Sequence, residues 1–322
     1  VIEFVIFKWI YHDQMKYYHT NIKYSKNLPT LSAIIYARNE QSNLKRLFDS
    51  LKKQNYPKNK IEYIYIDDNS NDKSFEIATK FGANVYKCNT GDIELNKGIG
   101  MHKAKNNLIY WIDADMEVLD DDFFLKLAYP LWENKNVVAS FTNEFALDHR
   151  YPVKNSFLRF ISYDPLQRDP LYQFFSPSIK ETIINEGNGY YICSFKPKHI
   201  PPAGRSMYRR KILLKTDVGK NKAFIDFETL ETVSRAGHQL FAYVPQAKIR
   251  HFHAENIATL VKKRLRNLKR DYLPNIGNKY YKWFDLKNHK DIIKIIGWII
   301  WVNLIIPETI VGFYKLVKFI IF

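Results

Sequence analysis

From Leu31 onward, short apolar runs alternate with stretches in which apolar residues recur every three or four positions. Leu31–Tyr36, Ile61–Ile66, Ala83–Lys87, Leu108–Ile112 and Val137–Phe141 read as strands, being short and rich in branched and aromatic residues. Between them, Glu40–Gln54 reads as a helix with Leu44, Leu47, Phe48 and Leu51 on one face. Asp72–Phe81 reads as a second helix, capped by Ser70 or Asn71 and closed by Gly82. Lys97–Lys105 and Asp121–Trp132 follow as helices. Strands alternating with helices predict an α/β fold with a mostly parallel sheet and right-handed crossovers.

In such sheets ligands bind beyond the carboxyl ends of the strands. Those ends are polar here: Ala37-Arg38-Asn39-Glu40, Asp67-Asp68-Asn69-Ser70 and Asp113-Ala114-Asp115. The topology puts all three on one edge. Asp113 and Asp115, at i and i+2, point to one side if the extended geometry continues that far. Two carboxylates at a buried strand end can hold a divalent cation, and a cation there can hold a diphosphate. By itself the pair also reads as an Asp-rich turn. A calcium loop fails, because Val118 stands where the loop needs Gly and Phe124 where it needs Glu. No Gly-x-Gly-x-x-Gly follows the first strand and no P-loop is present, which argues against a dinucleotide dehydrogenase and a P-loop NTPase.

Residues 142–202 break the alternation with Pro152, Pro165, Pro170, Pro177, Pro201 and Pro202. This stretch reads as an irregular insert beside the site, either an acceptor wall or a structural excursion. Gly204–Tyr208 then reads as a strand, Arg209–Thr216 as a short helix, and Glu228–Ala236 as a helix stopped by Gly237. Gln239–Val244 and Ala247–Phe252 read as strands ending in His251-Phe252-His253. A basic helix, Thr259–Arg270, carries Lys262, Lys263, Arg264, Arg266, Lys269 and Arg270.

Tyr-Ala-Arg-Asn-Glu, Ile-Asp-Asp-Asn-Ser, Asn-Lys-Gly, Asp-Ala-Asp, Asp-Phe-Glu and His-x-His before a basic helix occur in that order between about Leu31 and Arg270. This series resembles the family-2 glycosyltransferases of GT-A fold. The resemblance implies a nucleotide-diphosphate sugar donor, a divalent cation (Mn²⁺ or Mg²⁺) and inversion at the anomeric carbon. By matching position, Ala37, Asn39 and Glu40 would line the nucleotide pocket. Asp68 would meet the base or ribose, with Lys97 and Gly98 near it. Asp113 and Asp115 would take the metal and ribose, and Asp226 would be the general base. Ile225 stands before Asp226 where the family often shows Glu, which leaves Glu228 as the rival base. Lys263-Arg264-Leu265-Arg266-Asn267 keeps the basic residues of the processive members without their Trp.

Each site residue has a plainer reading. Asp226 suits a helix N-cap, His251 and His253 suit strand-end packing, and the basic helix suits a solvated face. Beside a diphosphate site, His251 is a further candidate metal ligand or phosphate contact. Arg266 and its neighbours are candidates for the diphosphate or for a membrane surface.

Composition bears on partners. Lys+Arg number 49 against 33 Asp+Glu, a net charge of +16, which favours anionic partners. Nucleic-acid binding is a rival reading on charge alone; no zinc-finger, RRM or KH signature supports it, and no nucleic acid is expected. A membrane scaffold with a non-catalytic transferase-like domain is another rival, against which the retained Asp113, Asp115 and Asp226 argue. Cys88 and Cys193 form no metal pattern or disulfide framework, and no secretory leader pattern is evident. In 291–322 the longest stretch without a charge, 295–307, has 13 residues, whereas a spanning helix needs about 20. With Trp298, Trp301, Phe313 and Tyr314, this segment reads as interfacial or re-entrant helices on an anionic membrane. A kinked spanning helix and a buried helix pair are the alternatives. The expected organisation is an apolar and basic segment (1–29), a transferase domain (30–270) and a membrane-associated segment (271–322). The expected location is the cytoplasmic face of a membrane, with a lipid-linked or glycan acceptor.

Overall fold

A computed structural model of the chain describes residues 27–142, 177–201, 203, 205–220, 223–252, 287–290, 292–293 and 296. Nearly all of these belong to one compact unit, 17–146 with 182–251. His253, the basic helix with Arg266, most of the 142–202 insert, nearly all of 1–29 and most of 271–322 lie outside the described residues. Among the described residues, no helix is long and apolar enough to cross a membrane.

The elements run β1 (Leu31–Ala37), α1 (Gln41–Lys52), β2 (Ile61–Asp68), α2 (Ser74–Phe81), β3 (Asn84–Cys88), α3 (Ile93–Lys103), β4 (Leu108–Asp113), β5 (Met116–Val118), α4 (Phe123–Glu133) and β6 (Ala139–Phe141). After these come α5 (Ile179–Thr182), β7 (Ile183–Glu186), β8 (Tyr191–Ser194), β9 (Ser206–Arg209), α6 (Arg210–Lys215), α7 (Asp226–Arg235), β10 (Leu240–Tyr243) and β11 (Ile249–His251). One sheet has the order β3-β2-β1-β4-β9-β6-β10-β8-β7, and β5 pairs with β11 in a second.

The expected parallel sheet holds for β3, β2, β1 and β4. Beyond β4 the sheet is mixed: β9 runs antiparallel to both β4 and β6, and β8 antiparallel to β10 and β7. The second correction concerns the insert. Its 183–194 part is an antiparallel hairpin with a register shift between Ile183 and Asn185, turned through Gly187 and Gly189, the latter at φ 82°. Glycine accepts that left-handed backbone without a β-carbon penalty.

The central strands are buried on both faces, which explains their unbroken apolar runs. α1 buries Leu44, Leu47, Phe48 and Leu51, as its periodicity predicts. α3 begins a turn earlier than expected. Asp92 caps it, its side chain accepting from the N–H groups of Glu94 and Leu95. A β-carbon on Gly100 in α3 would lie 2.3 Å from Ile34 Cγ2, so this helix packs closely on β1. α2 ends at Gly82, φ 93°, as expected. Its start is served by Asp72 rather than Ser70 or Asn71: Asp72 Oδ1 accepts from the Ser74 N–H at 2.9 Å.

Candidate active site

The sheet register brings the polar strand ends together. Tyr36 lies opposite Asp113, and Ala37 opposite Asp67. The loops after β1 and β2 are clasped to each other. Asn39 stands at φ 57° and Asn69 at φ 54°, a region asparagine enters more readily than most residues. The Asn39 N–H donates to Ser70 Oγ at 3.0 Å, and Asn39 Oδ1 accepts from the Asn71 N–H at 2.8 Å. The Glu40 N–H donates to Ser74 Oγ at 2.9 Å. Asn39 and Glu40 thus hold two loops in register. Asp68 Oδ1 accepts from the N–H groups of Thr90 (2.8 Å) and Gly91 (3.2 Å), fixing the turn that leads into α3. Ala37 ends the buried β1, and Gly98 is buried in α3.

A buried cation lies at the centre of the site. Lys97 Nζ is 2.9 Å from Asp226 Oδ2 and 3.0 Å from Glu94 Oε2, and only 8% of its side chain is exposed. Burial works against its charge, but Asp226 and then Glu94 outweigh burial and hold it well above the ordinary lysine range. Asp226 is the first residue of α7; Ile225 is the N-cap, so the carboxylate faces Lys97 and caps nothing. The approach to α7 is fixed by Phe224, whose ring stacks on Trp111 of β4 at 3.8 Å and whose N–H donates to the Glu94 carbonyl at 2.8 Å. Trp111 Nε1 in turn donates to the Lys97 carbonyl at 3.1 Å.

Tyr36 joins this cluster to the Asp-x-Asp pair. Its hydroxyl donates to Asp113 Oδ1, and Lys97 Nζ stands 5.6 Å from its ring centroid. Burial, reinforced by the Asp113 charge, raises the Tyr36 hydroxyl well above the ordinary tyrosine range, so it stays a donor.

Asp113, Asp115 and His251 each bring one donor atom within 4.8 Å of the others. The antiparallel pairing of β5 with β11 achieves this, since it sets His251 opposite Met116. His251 Nε2 then lies 3.1 Å from Asp115 Oδ1. Carboxylate oxygens with an imidazole nitrogen form a donor set that fits Mn²⁺ well, and Mg²⁺ where oxygen ligands dominate.

Sequence reasoning missed Tyr36, Glu94 and Arg205. Glu94 was legible, because it sits at i and i+3 with Lys97 once α3 is begun at its Asp92 cap. Arg205 had no sequence signal. It reaches the site because β9 inserts antiparallel beside β4, and its terminal nitrogen lies 3.8 Å from Asp113 Oδ2.

Known proteins bear on this geometry. The model of the family described as glycosyl transferase family 2 matches residues 32–215, more than half of the chain. The chain belongs to glycosyl transferase family 2. The chain is 35% identical over 96 residues to a 4,4'-diaponeurosporenoate glycosyltransferase of Staphylococcus haemolyticus (strain JCSC1435). That alignment takes in 28% of this chain and only 25% of the relative. Among solved structures, the mannosyltransferase PcManGT from Pyrobaculum calidifontis, in complex with GDP-Man and Mn²⁺, matches with a TM-score of 0.52 at 11% identity. The match covers 86% of this chain and 73% of PcManGT. S. aureus TarS 1-349 in complex with UDP matches with a TM-score of 0.44 at 15% identity, over 68% of this chain and 59% of that one. The match to PcManGT, with the sheet order, shows a GT-A-like fold: a parallel core of strands that continues into a mixed half.

Proposed function

We propose that this transferase moves a sugar from a nucleotide-diphosphate sugar to a lipid-linked or glycan acceptor, with inversion at the anomeric carbon. The observation that carries the reading is the convergence of Asp113, Asp115 and His251 at the strand edge, with Asp226 tied to the same edge through Lys97 and Tyr36. Asp113, Asp115 and His251 would hold a divalent cation, which as a Lewis acid offsets the charge that develops on the leaving diphosphate. PcManGT, of similar fold, binds GDP-Man and Mn²⁺.

The chain's own residues do the rest. The clasped loops after β1 and β2 wall the nucleotide pocket, with Asp68 facing the base or ribose. Asp226 takes the proton from the acceptor hydroxyl as that oxygen attacks the anomeric carbon, a contribution of about 10²–10⁴-fold. Lys97 keeps the carboxylate aimed. Arg266 and its basic neighbours supply charge toward the diphosphate or an anionic membrane, and the apolar 291–322 segment supplies the membrane contact on the cytoplasmic face.

The test is a thermal-shift screen of UDP- and GDP-sugars with and without Mn²⁺ or Mg²⁺, since a ligand that binds the native state raises its stability. A cation-dependent shift with one donor is expected. No shift with any donor, together with salt-sensitive binding to DNA or RNA, would overturn the reading.

A further inference from the structure

Arg205 is the least explained residue at the site. It stands at φ 55°, a left-handed backbone that costs a residue with a β-carbon and that glycine would fill more easily. Such strain persists where the surroundings over-determine it, and it collects at ligand sites. The side chain is 22% exposed and lies along the Asp-x-Asp edge. One terminal nitrogen is 3.8 Å from Asp113 Oδ2 and 3.4 Å from His251 Nδ1, and Nε is 3.5 Å from Met116 Sδ. The guanidinium thus leans on two of the three groups that would hold a cation.

The imidazole decides what that contact means. A guanidinium only donates, so its bond to His251 requires Nδ1 to accept and places the ring proton on Nε2. Nε2 is the nitrogen that faces Asp115 at 3.1 Å. A protonated Nε2 cannot ligate a metal through that atom. Arg205 must therefore release His251 before Nε2 can join a cation. Two positive groups beside the same carboxylates also repel one another. An arriving diphosphate reverses both effects, because its oxygens accept from a guanidinium fork in bidentate fashion.

We propose that Arg205 is a diphosphate-binding residue that makes cation binding depend on the nucleotide. It rests on Asp113 and His251 until a nucleoside diphosphate draws it away, and the cation then takes the freed ligands. The proposal rests on the metal-assisted reading above.

Mn²⁺ titration followed by electron paramagnetic resonance tests it. The full chain and the variants Arg205→Gln, Arg205→Gly and Asp115→Asn are each titrated alone, with UDP and with GDP, after subtracting the Mn²⁺ that the nucleotide holds in buffer. Arg205→Gly suits the existing φ and so guards against misfolding. The wild-type chain is expected to bind Mn²⁺ about 10–100-fold more tightly with a nucleoside diphosphate than without. In the Arg205 variants, Mn²⁺ alone should bind about ten-fold more tightly, and the gain from nucleotide should fall about ten-fold. If Asp115→Asn abolishes binding but the Arg205 variants match the wild type, this proposal is overturned and the metal site stands. Tighter Mn²⁺ binding with an undiminished gain from nucleotide would reduce Arg205 to a counter-charge and overturn its diphosphate role. No Mn²⁺ binding by the wild-type chain with either nucleotide would overturn the metal reading and the proposal together.

Discussion

Lys97 Nζ and Asp226 Oδ2 meet at 2.9 Å although 129 positions separate them in the chain. The pair ties α3 to the start of α7 at the strand edge that carries Asp113. A buried ammonium can remain charged only with such a partner, so the ion pair and the aim of the Asp226 carboxylate depend on each other.

Asp226→Asn should keep donor affinity and lower turnover by about 10²-fold or more, because it removes the proton acceptor without removing bulk. Glu228→Gln should have a much smaller effect, since residues two apart on a helix do not share a face. Steady-state kinetics with separate donor-binding measurements check this. A dead Glu228→Gln beside an active Asp226→Asn would move the base to Glu228.

Lys97→Met should lower stability by about 1–3 kcal/mol, a moderate cost because Asp226 can rehydrate once its partner is gone. The pH dependence has a definite sign. The Lys97 proton is held more tightly in the fold than in the unfolded chain, so its stabilisation is constant below the ordinary lysine pKa of 10.5. It is lost as pH rises from there toward the raised value in the fold. Urea unfolding at pH 7 and above pH 10.5 should therefore show the difference between wild type and Lys97→Met shrinking at the higher pH.

Asp115→Asn should remove the cation dependence of nucleotide-sugar binding, and excess EDTA should do the same to the wild-type chain. Isothermal titration with and without Mn²⁺ measures both. Unchanged binding in the variant would sink the assignment of Asp115 to the metal.

Gly100→Ala should destabilise the fold by about 1–3 kcal/mol, although alanine is the better helix former. The new β-carbon would meet Ile34 Cγ2 at 2.3 Å. Ile34 is fully buried and stiff at its first torsion. A denaturant midpoint at or above that of the wild type would show that α3 can slide off β1.

Truncation before Asp291 should weaken binding to anionic vesicles and leave nucleotide binding intact. Flotation with liposomes of graded anionic content checks it. Equal flotation of the truncated and full chains would remove the membrane contact from that segment.

By itself, the sequence determined most of the local elements and the parallel half of the sheet. Alternation and helical spacing are local patterns, and burial on both faces leaves an apolar run that can be read directly, as in Leu108–Ile112. The strand-end rule then placed Asp113 and Asp115 correctly at the edge, and the motif order carried the family. Tertiary structure alone decided which groups meet there. His251 reaches Asp115 only because two three-residue strands pair antiparallel, and strands that short leave little periodicity to read. Lys97 meets Asp226, and Arg205 meets Asp113, through packing across the sheet between residues far apart in sequence. Only the structure shows that the Asn39 side chain also clasps the loop after β2, accepting from the Asn71 N–H from a left-handed backbone. No pattern of polarity along a chain encodes such contacts, since they depend on how separate elements dock.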